Sequence, residues 1–246
     1  MARGRRGMRN SKGFGSAQGA ATLVLVLCAV AISVSAVKQA FITPETPAVN
    51  PGFSATFAES IHLDSADWQA IKESALMVGH RSAPVEVAQF IDLECPFCQR
   101  FHSAIRSLRD ELGDDLVYYV VHSPIPTIHP HALPGARAAE CADAQGRLWE
   151  FLDAVFSEHS SIGVRSWVSF AEHAGVKDLG TFDSCATGDG PVPRVDRGLE
   201  LGNRVGIRGT PSVVINGWLV RPTPYDNLPE VVDSIRYERG HFAPSN

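Results

Sequence analysis

Downstream of about residue 60, the chain alternates short unbroken apolar runs with longer stretches whose apolar positions recur every three or four residues. The first pattern marks buried strands and the second amphipathic helices. Ser65 to Leu76 places Trp68, Ile71, Ala75 and Leu76 on one helical face, with Ser65 as its N-cap and Gly79 as its stop. Val85 to Leu93 (VEVAQFIDL) is an apolar run of strand length. Gln99 to Leu112 follows as a helix with Phe101, Ile105 and Leu108 at helical spacing. Asp115 to His122 (DLVYYVVH) reads as a second strand, and Ala132 to His159 as one long helical pattern softened at Gly146. Shorter helices are expected over Trp167 to His173, Leu179 to Ala186 and Asp196 to Val205, the last capped by Gly206. A strand opens at Thr210-Pro211, and a final helix runs from Asn227 to Glu238. Strands interleaved with helices in this order make an α/β domain.

The N-terminal part has a different pattern. Residues 1–12 carry Arg3, Arg5, Arg6, Arg9 and Lys12 and no acid, and Ala20 to Val37 is free of charge. A basic segment ahead of an apolar one places residues 1–19 in the cytoplasm and the rest of the chain outside. The length of 20–37 favours a transmembrane anchor over a cleaved signal ending at Ala36. Cys28, behind the bulky Leu27, is a poor lipid-attachment site and reads as an apolar residue of that span. The proline-containing stretch within 38–60 reads as a linker, leaving 61–246 as the folded domain. The basic cluster also uncovers the charge of the body: the whole chain is -5, but beyond residue 12 there are 17 basic residues against 27 acidic ones. Such an acidic body does not suit a nucleic-acid partner, because little remains to neutralise phosphates.

The chemistry lies in Cys95-Pro96-Phe97-Cys98, directly after the first long strand and at the start of its helix. A thiol at a helix N-terminus faces free backbone N–H groups and the positive end of the helix dipole, which stabilise a thiolate. Pro96 suits the first helical turn because its missing N–H had no partner to lose. Cys98 lies one turn on, within reach of Cys95, so the pair can open and close without refolding. Zinc is disfavoured: a structural site needs four ligands, Cys141 and Cys185 stand alone, and His129 and His131 have poor ligand spacing.

Phe90-Ile91-Asp92-Leu93-Glu94-Cys95-Pro96-Phe97-Cys98, with Phe101, resembles the active-site segment of the DsbA family of thioredoxin-like proteins. Gly206-Ile207-Arg208-Gly209-Thr210-Pro211-Ser212-Val213-Val214-Ile215-Asn216-Gly217 resembles the family's second motif. The resemblance covers roughly residues 75–238. It implies a thioredoxin-like core with a helical insertion at about 126–200, here preceded by a transmembrane segment. It further implies a cis proline at Pro211, with Thr210 set against the CxxC to bind an incoming peptide strand. The implied activity is thiol–disulfide exchange without a cofactor, Cys95 being the sulfur that substrates meet. Its direction would be oxidation of exported proteins, with a reductase or isomerase, or a binding module whose CxxC is incidental, as the alternatives. Implied partners are exported cysteine-containing proteins and a membrane redox protein that recycles the pair, with the chain a monomer. Some exported family members carry a second disulfide, which the resemblance favours for Cys141 and Cys185 over two separate buried thiols. Two positions depart from the family: Gln89 stands where a buried acid would assist the second thiol, and Phe97 replaces a histidine that strengthens the oxidant. The missing proton-transfer role would be lost, or pass to Asp92, Glu94 or a water, although Glu94 reads as solvated.

Overall fold

The computed structural model describes residues 59–242. The expected cytoplasmic segment, the transmembrane segment 20–37 with Cys28, and nearly all of the linker lie outside these residues. Among the described residues, no helix is long and apolar enough to cross a membrane.

A mixed sheet of six strands forms the centre. In chain order these are β1 (Ile61–His62), β2 (Leu76–Val78), β3 (Val85–Ile91), β4 (Leu116–His122), β5 (Ser212–Ile215) and β6 (Trp218–Val220). Their spatial order is β1-β6-β5-β3-β4-β2. β3 and β4 run parallel, as their crossover through a helix requires, and the other pairings are antiparallel. The helices are α1 (Ser65–Ser74), α2 (Pro96–Leu112), α3 (Ala132–Asp143), α4 (Leu148–Ser157), α5 (Trp167–His173), α6 (Leu179–Ala186), α7 (Pro193–Val205) and α8 (Leu228–Phe242).

β3 and β4 are buried along their whole length, which is why they read as largely apolar runs. Side chains still alternate between faces. Val85, Val87 and Ile91 of β3 join Leu116, Tyr118 and Val120 of β4 in the core shared with α2, α8 and the insertion. Ala88, Phe90, Val117, Tyr119 and Val121 face the smaller core that holds Trp68 and Ile71 of α1 and Leu201 of α7. α7 reaches this position by a close approach: a Cβ on Gly198 would stand 2.2 Å from the His122 carbonyl oxygen. Glycine is the side chain that permits that packing distance.

Several expectations need correction. The α1 cap is Asp64, whose carboxylate accepts from the Asp67 N–H at 2.7 Å, and the helix ends at Ser74. Leu76 belongs to a strand, because its neighbours pair with β4 in antiparallel register. The long pattern from Ala132 to His159 is two helices. Gly146, at φ +67°, turns the chain between them, and a period-3.6 pattern does not register such a break when both helices face the same core. α7 begins at Pro193, with proline in the first turn. β1 and β6 escaped sequence reading because two or three residues show no periodicity. β5 and β6 are joined by a two-residue turn, Asn216-Gly217, with both residues at positive φ (48° and 90°), the pairing a tight hairpin favours.

Candidate active site

β3 delivers the chain to the redox turn. After Ile91 the backbone leaves the sheet; the Cys95 N–H bonds the Asp92 carbonyl at 3.1 Å, and the Cys95 carbonyl then accepts from Cys98 and Gln99 at 3.0 and 3.2 Å. Cys95 is therefore the N-cap residue of α2, with Pro96 at its first position. Both cysteines are free thiols. Cys98 is fully buried, whereas Phe97 between them is 59 % exposed. The sequence places Cys95 outermost, yet only 3 % of it is accessible. Part of its cover is the Thr210-Pro211 loop: the bond between these residues is cis, and the Cys95 thiol donates to the Thr210 carbonyl at 3.3 Å.

The two thiols differ sharply in acidity. The Cys95 pKa falls to about 5, chiefly through a hydrogen bond from the Cys98 thiol, against an opposing cost of burial. Thr210 and the Cys98 and Phe97 backbone N–H groups stabilise the anion further. The Thr210 hydroxyl is buried with no other partner, so it is free to serve a thiolate. Cys98 is pushed well above its ordinary range, first by burial and then by its neighbour Cys95.

Beneath Cys98 sits the position where an acid was missed. Gln89 is fully buried on β3 and accepts a hydrogen bond from the Tyr118 hydroxyl of β4. Burial, reinforced by Cys98, holds the Tyr118 phenol well above its usual pKa. The group under Cys98 is thus a neutral amide–phenol pair. Neither carboxylate near the turn is idle. Asp92, 1 % exposed, accepts from the Glu94 and Ile125 N–H groups, both at 2.9 Å, and pairs with His129 Nδ1 at 2.8 Å. Glu94 accepts from the His131 N–H at 2.6 Å, so it is a tether for the segment before α3, contrary to the solvated state expected of it. Together these bonds fasten the turn to residues 125–131.

Among the described residues no cluster of His, Cys, Asp and Glu is arranged to hold a metal. Cys141 of α3 and Cys185 of α6 are bonded to each other, with Cα atoms 5.9 Å apart. A cavity of about 350 Å³ opens beside Pro96, between the outer face of α2 (Gln99, Arg100, Ser103, Arg106) and Asp153 and Phe156 of α4. Sequence reading missed this cavity, although the spacing of those four polar residues marks one helical face. The opposite wall was not legible, because it comes from the insertion.

A family model described as thioredoxin matches residues 72–234. The Na(+)/H(+) antiporter NhaA 1 of Mycolicibacterium gilvum (strain PYR-GCK) is 33% identical over 141 residues, which is 56% of this chain and 23% of the antiporter. NhaA of Herminiimonas arsenicoxydans is 31% identical over 143 residues, 58% of this chain and 22% of that protein. The chain thus spans less than a quarter of the length of these curated relatives. Among solved structures, a thioredoxin-like oxidoreductase from Silicibacter pomeroyi DSS-3 gives a TM-score of 0.57 at 22% identity, covering 69% of this chain and 97% of that one. BdbD from Bacillus subtilis, oxidised, gives 0.57 at 18% identity over 68% of this chain and 93% of its own. DsbA from Xylella fastidiosa gives 0.52 at 20% identity over 66% and 89%. At these identities the likeness is one of fold.

Proposed function

Because the chain belongs to the thioredoxin family, we propose that it is an exported thiol–disulfide oxidoreductase whose Cys95–Cys98 disulfide oxidises cysteine-containing substrates. The observation that carries this reading is the unequal pair of thiols at one helix N-terminus: Cys95 with a pKa of about 5, Cys98 buried and far less acidic. A substrate thiolate attacks Sγ of Cys95, the bond to Cys98 breaks, and Cys98 takes a proton as it leaves. A second substrate thiol then attacks the substrate sulfur of the mixed disulfide, and Cys95 departs as a thiolate that its surroundings stabilise. The reduced pair must pass its two electrons to a disulfide- or quinone-bearing membrane partner before the next cycle.

The Thr210 carbonyl, which holds the Cys95 thiol in the reduced form, supports a role for Thr210 and Pro211 in aligning a substrate backbone beside the scissile bond. Phe97 and Ile128, 59 % and 67 % exposed, offer apolar contact to unfolded chains, and the cavity beside Pro96 would accept a side chain next to the substrate cysteine. The Cys141–Cys185 bond fits an oxidising compartment, and the basic-then-apolar N-terminus fits a tether with this domain outside. The thiolate supports the oxidising direction: a pKa of about 5 lies between roughly 3.5 for the strongly oxidising DsbA and roughly 7 for thioredoxin. That points to an oxidant of intermediate strength. Disulfide reduction or isomerisation is the competing direction. The likeness to the antiporters covers too little of their length to support ion transport here.

Trapping tests the division of labour. Cys98→Ser should accumulate mixed disulfides through Cys95, while Cys95→Ser should be inactive and trap nothing, as read on non-reducing gels after thiol blocking. Equal trapping by both variants would overturn the assignment.

A further inference from the structure

One titratable side chain at the redox turn has no part in the exchange steps above. His159 opens the single 3-10 turn His159–Ser161 that follows α4. Its ring lies nearly parallel to that of Phe156 (14°, centroids 6.2 Å apart), and its Nε2 is buried without a hydrogen-bond partner. Phe156 lines the same cavity as Pro96 and Gln99, so the insertion places an imidazole with an open nitrogen on the redox side of the molecule, although its sequence carries no catalytic motif.

The charged groups around it are accounted for. The Glu94 backbone and carboxylate and Cys95 raise the basicity of the ring, and His129 of the β4–α3 connection lowers it. The neighbouring acids are engaged elsewhere: Asp92 with His129, Glu94 with the His131 N–H, and Glu158 with Arg165 and His173. Burial is the main influence on the ring and holds its pKa below the ordinary value. At neutral pH it is therefore an uncharged proton acceptor.

The exchange leaves one proton without a destination. When the second substrate thiol resolves the mixed disulfide, a bond forms between the two substrate sulfurs and the bond to Cys95 breaks. The electron pair leaves on Cys95, and the attacking thiol must lose its proton. The departing Cys95 is too acidic to take it at neutral pH, and the Gln89–Tyr118 pair beneath Cys98 offers no base. We infer that His159 Nε2 accepts this proton and then stands as an imidazolium beside the Cys95 thiolate, giving the proton back when the step runs in reverse. Oxidised substrate disulfide, Cys95 thiolate and protonated His159 balance the mixed disulfide with its one free substrate thiol and the neutral imidazole that entered. This inference rests on the proposed redox role of Cys95, and deepens it by naming the proton acceptor and the insertion residue that supplies it.

The test isolates that step. A two-cysteine peptide is joined through one of its thiols to Cys95 of the Cys98→Ser protein, whose serine hydroxyl keeps a donor beside Cys95. Release of the cyclised peptide is followed in a single turnover between pH 5.5 and 9. With His159 present, the rate should stay nearly flat down to the pKa of the imidazole. With His159→Gln it should track the free-thiolate fraction of the peptide, falling about tenfold per pH unit below the thiol pKa. At pH 7 the variant should be about tenfold slower or more, and added imidazole should restore rate to His159→Gly. Superimposable pH–rate profiles for the wild-type and His159→Gln proteins would overturn the inference. So would a loss confined to His159→Phe, which would mark a packing effect. Failure of the redox reading has a separate signature: no mixed disulfide forms at Cys95 in any variant.

Discussion

At the scale of single residues, the site depends on which sulfur is charged and which neighbours touch it. A Cys95 pKa of about 5 sets the proton count of the reaction. Below it, reducing the disulfide takes up two protons; above it and below the Cys98 pKa, only one. The midpoint potential should therefore fall by about 60 mV per pH unit below pH 5 and by about 30 mV per unit from there to pH 8. Thiolate absorbance should show a matching single midpoint near pH 5, and a slope of 60 mV through neutrality would mean that Cys95 is a thiol there. The pKa is depressed in the folded reduced protein. That form should therefore lose stability, relative to the disulfide form, as pH falls towards 5. Phe97 brings no charge to the anion although it sits in the first turn beside it. Phe97→His should lower the Cys95 pKa further and make the pair more oxidising. No change in either quantity would show that residue 97 points away from the thiolate, as its 59 % exposure permits.

At the scale of elements, β3 and β4 decide what lies beneath the second thiol. Odd-numbered residues of β3 face α2, so Gln89 is directed towards Cys98, and β4 brings Tyr118 to the same place. The amide–phenol pair is neutral at every ordinary pH, and Gln89 Nε2 has no partner. Gln89→Glu would put a carboxyl at a position with no exposure. Burial would raise its folded pKa above the roughly 4.3 of the unfolded chain. Stability would be retained below that pH and lost as pH rises through the raised value. Thermal melts of the oxidised variant should accordingly fall between pH 4 and pH 8 by more than those of the parent, by the equivalent of about 1–3 kcal/mol. Parallel curves would mean that the new acid reaches solvent or a cation.

At the scale of the whole domain, the insertion helices α3–α6 pack on the redox face, and the insertion lines the cavity and supplies His159, so its attachment to the core matters to the chemistry. Cys141 and Cys185 are 44 residues apart in sequence, and the bond restricts the unfolded chain over that span. Cys141→Ala with Cys185→Ala should cost about 2–4 kcal/mol in denaturant unfolding. Mild reductant should open Cys95–Cys98 and leave this bond closed. Two blockable thiols at 141 and 185 in the purified protein, before any reduction, would contradict it.

The sequence by itself settled whatever depends on local pattern. β3 and β4 were legible because burial on both faces leaves them mostly apolar, with Glu86, Gln89 and His122 the exceptions. α2 was legible because its inner face repeats every 3.6 residues and a proline marks its start. The reactive pair could be read because its chemistry needs two sulfurs one helical turn apart. Tertiary structure decided everything built from residues distant in the chain. It fixed which group of Thr210 meets Cys95 across 115 positions, the carbonyl, where the family resemblance implied only the contact. It also turned Glu94 into a tether for His131. It placed Tyr118 on Gln89, brought His159 to the turn and closed a cavity between α2 and α4. None of these contacts leaves a periodic trace, because each depends on how two elements pack rather than on what either one buries. The same holds for the proton: acidity at Cys95 is set by a hydrogen bond from Cys98 and by the depth of the fold around both.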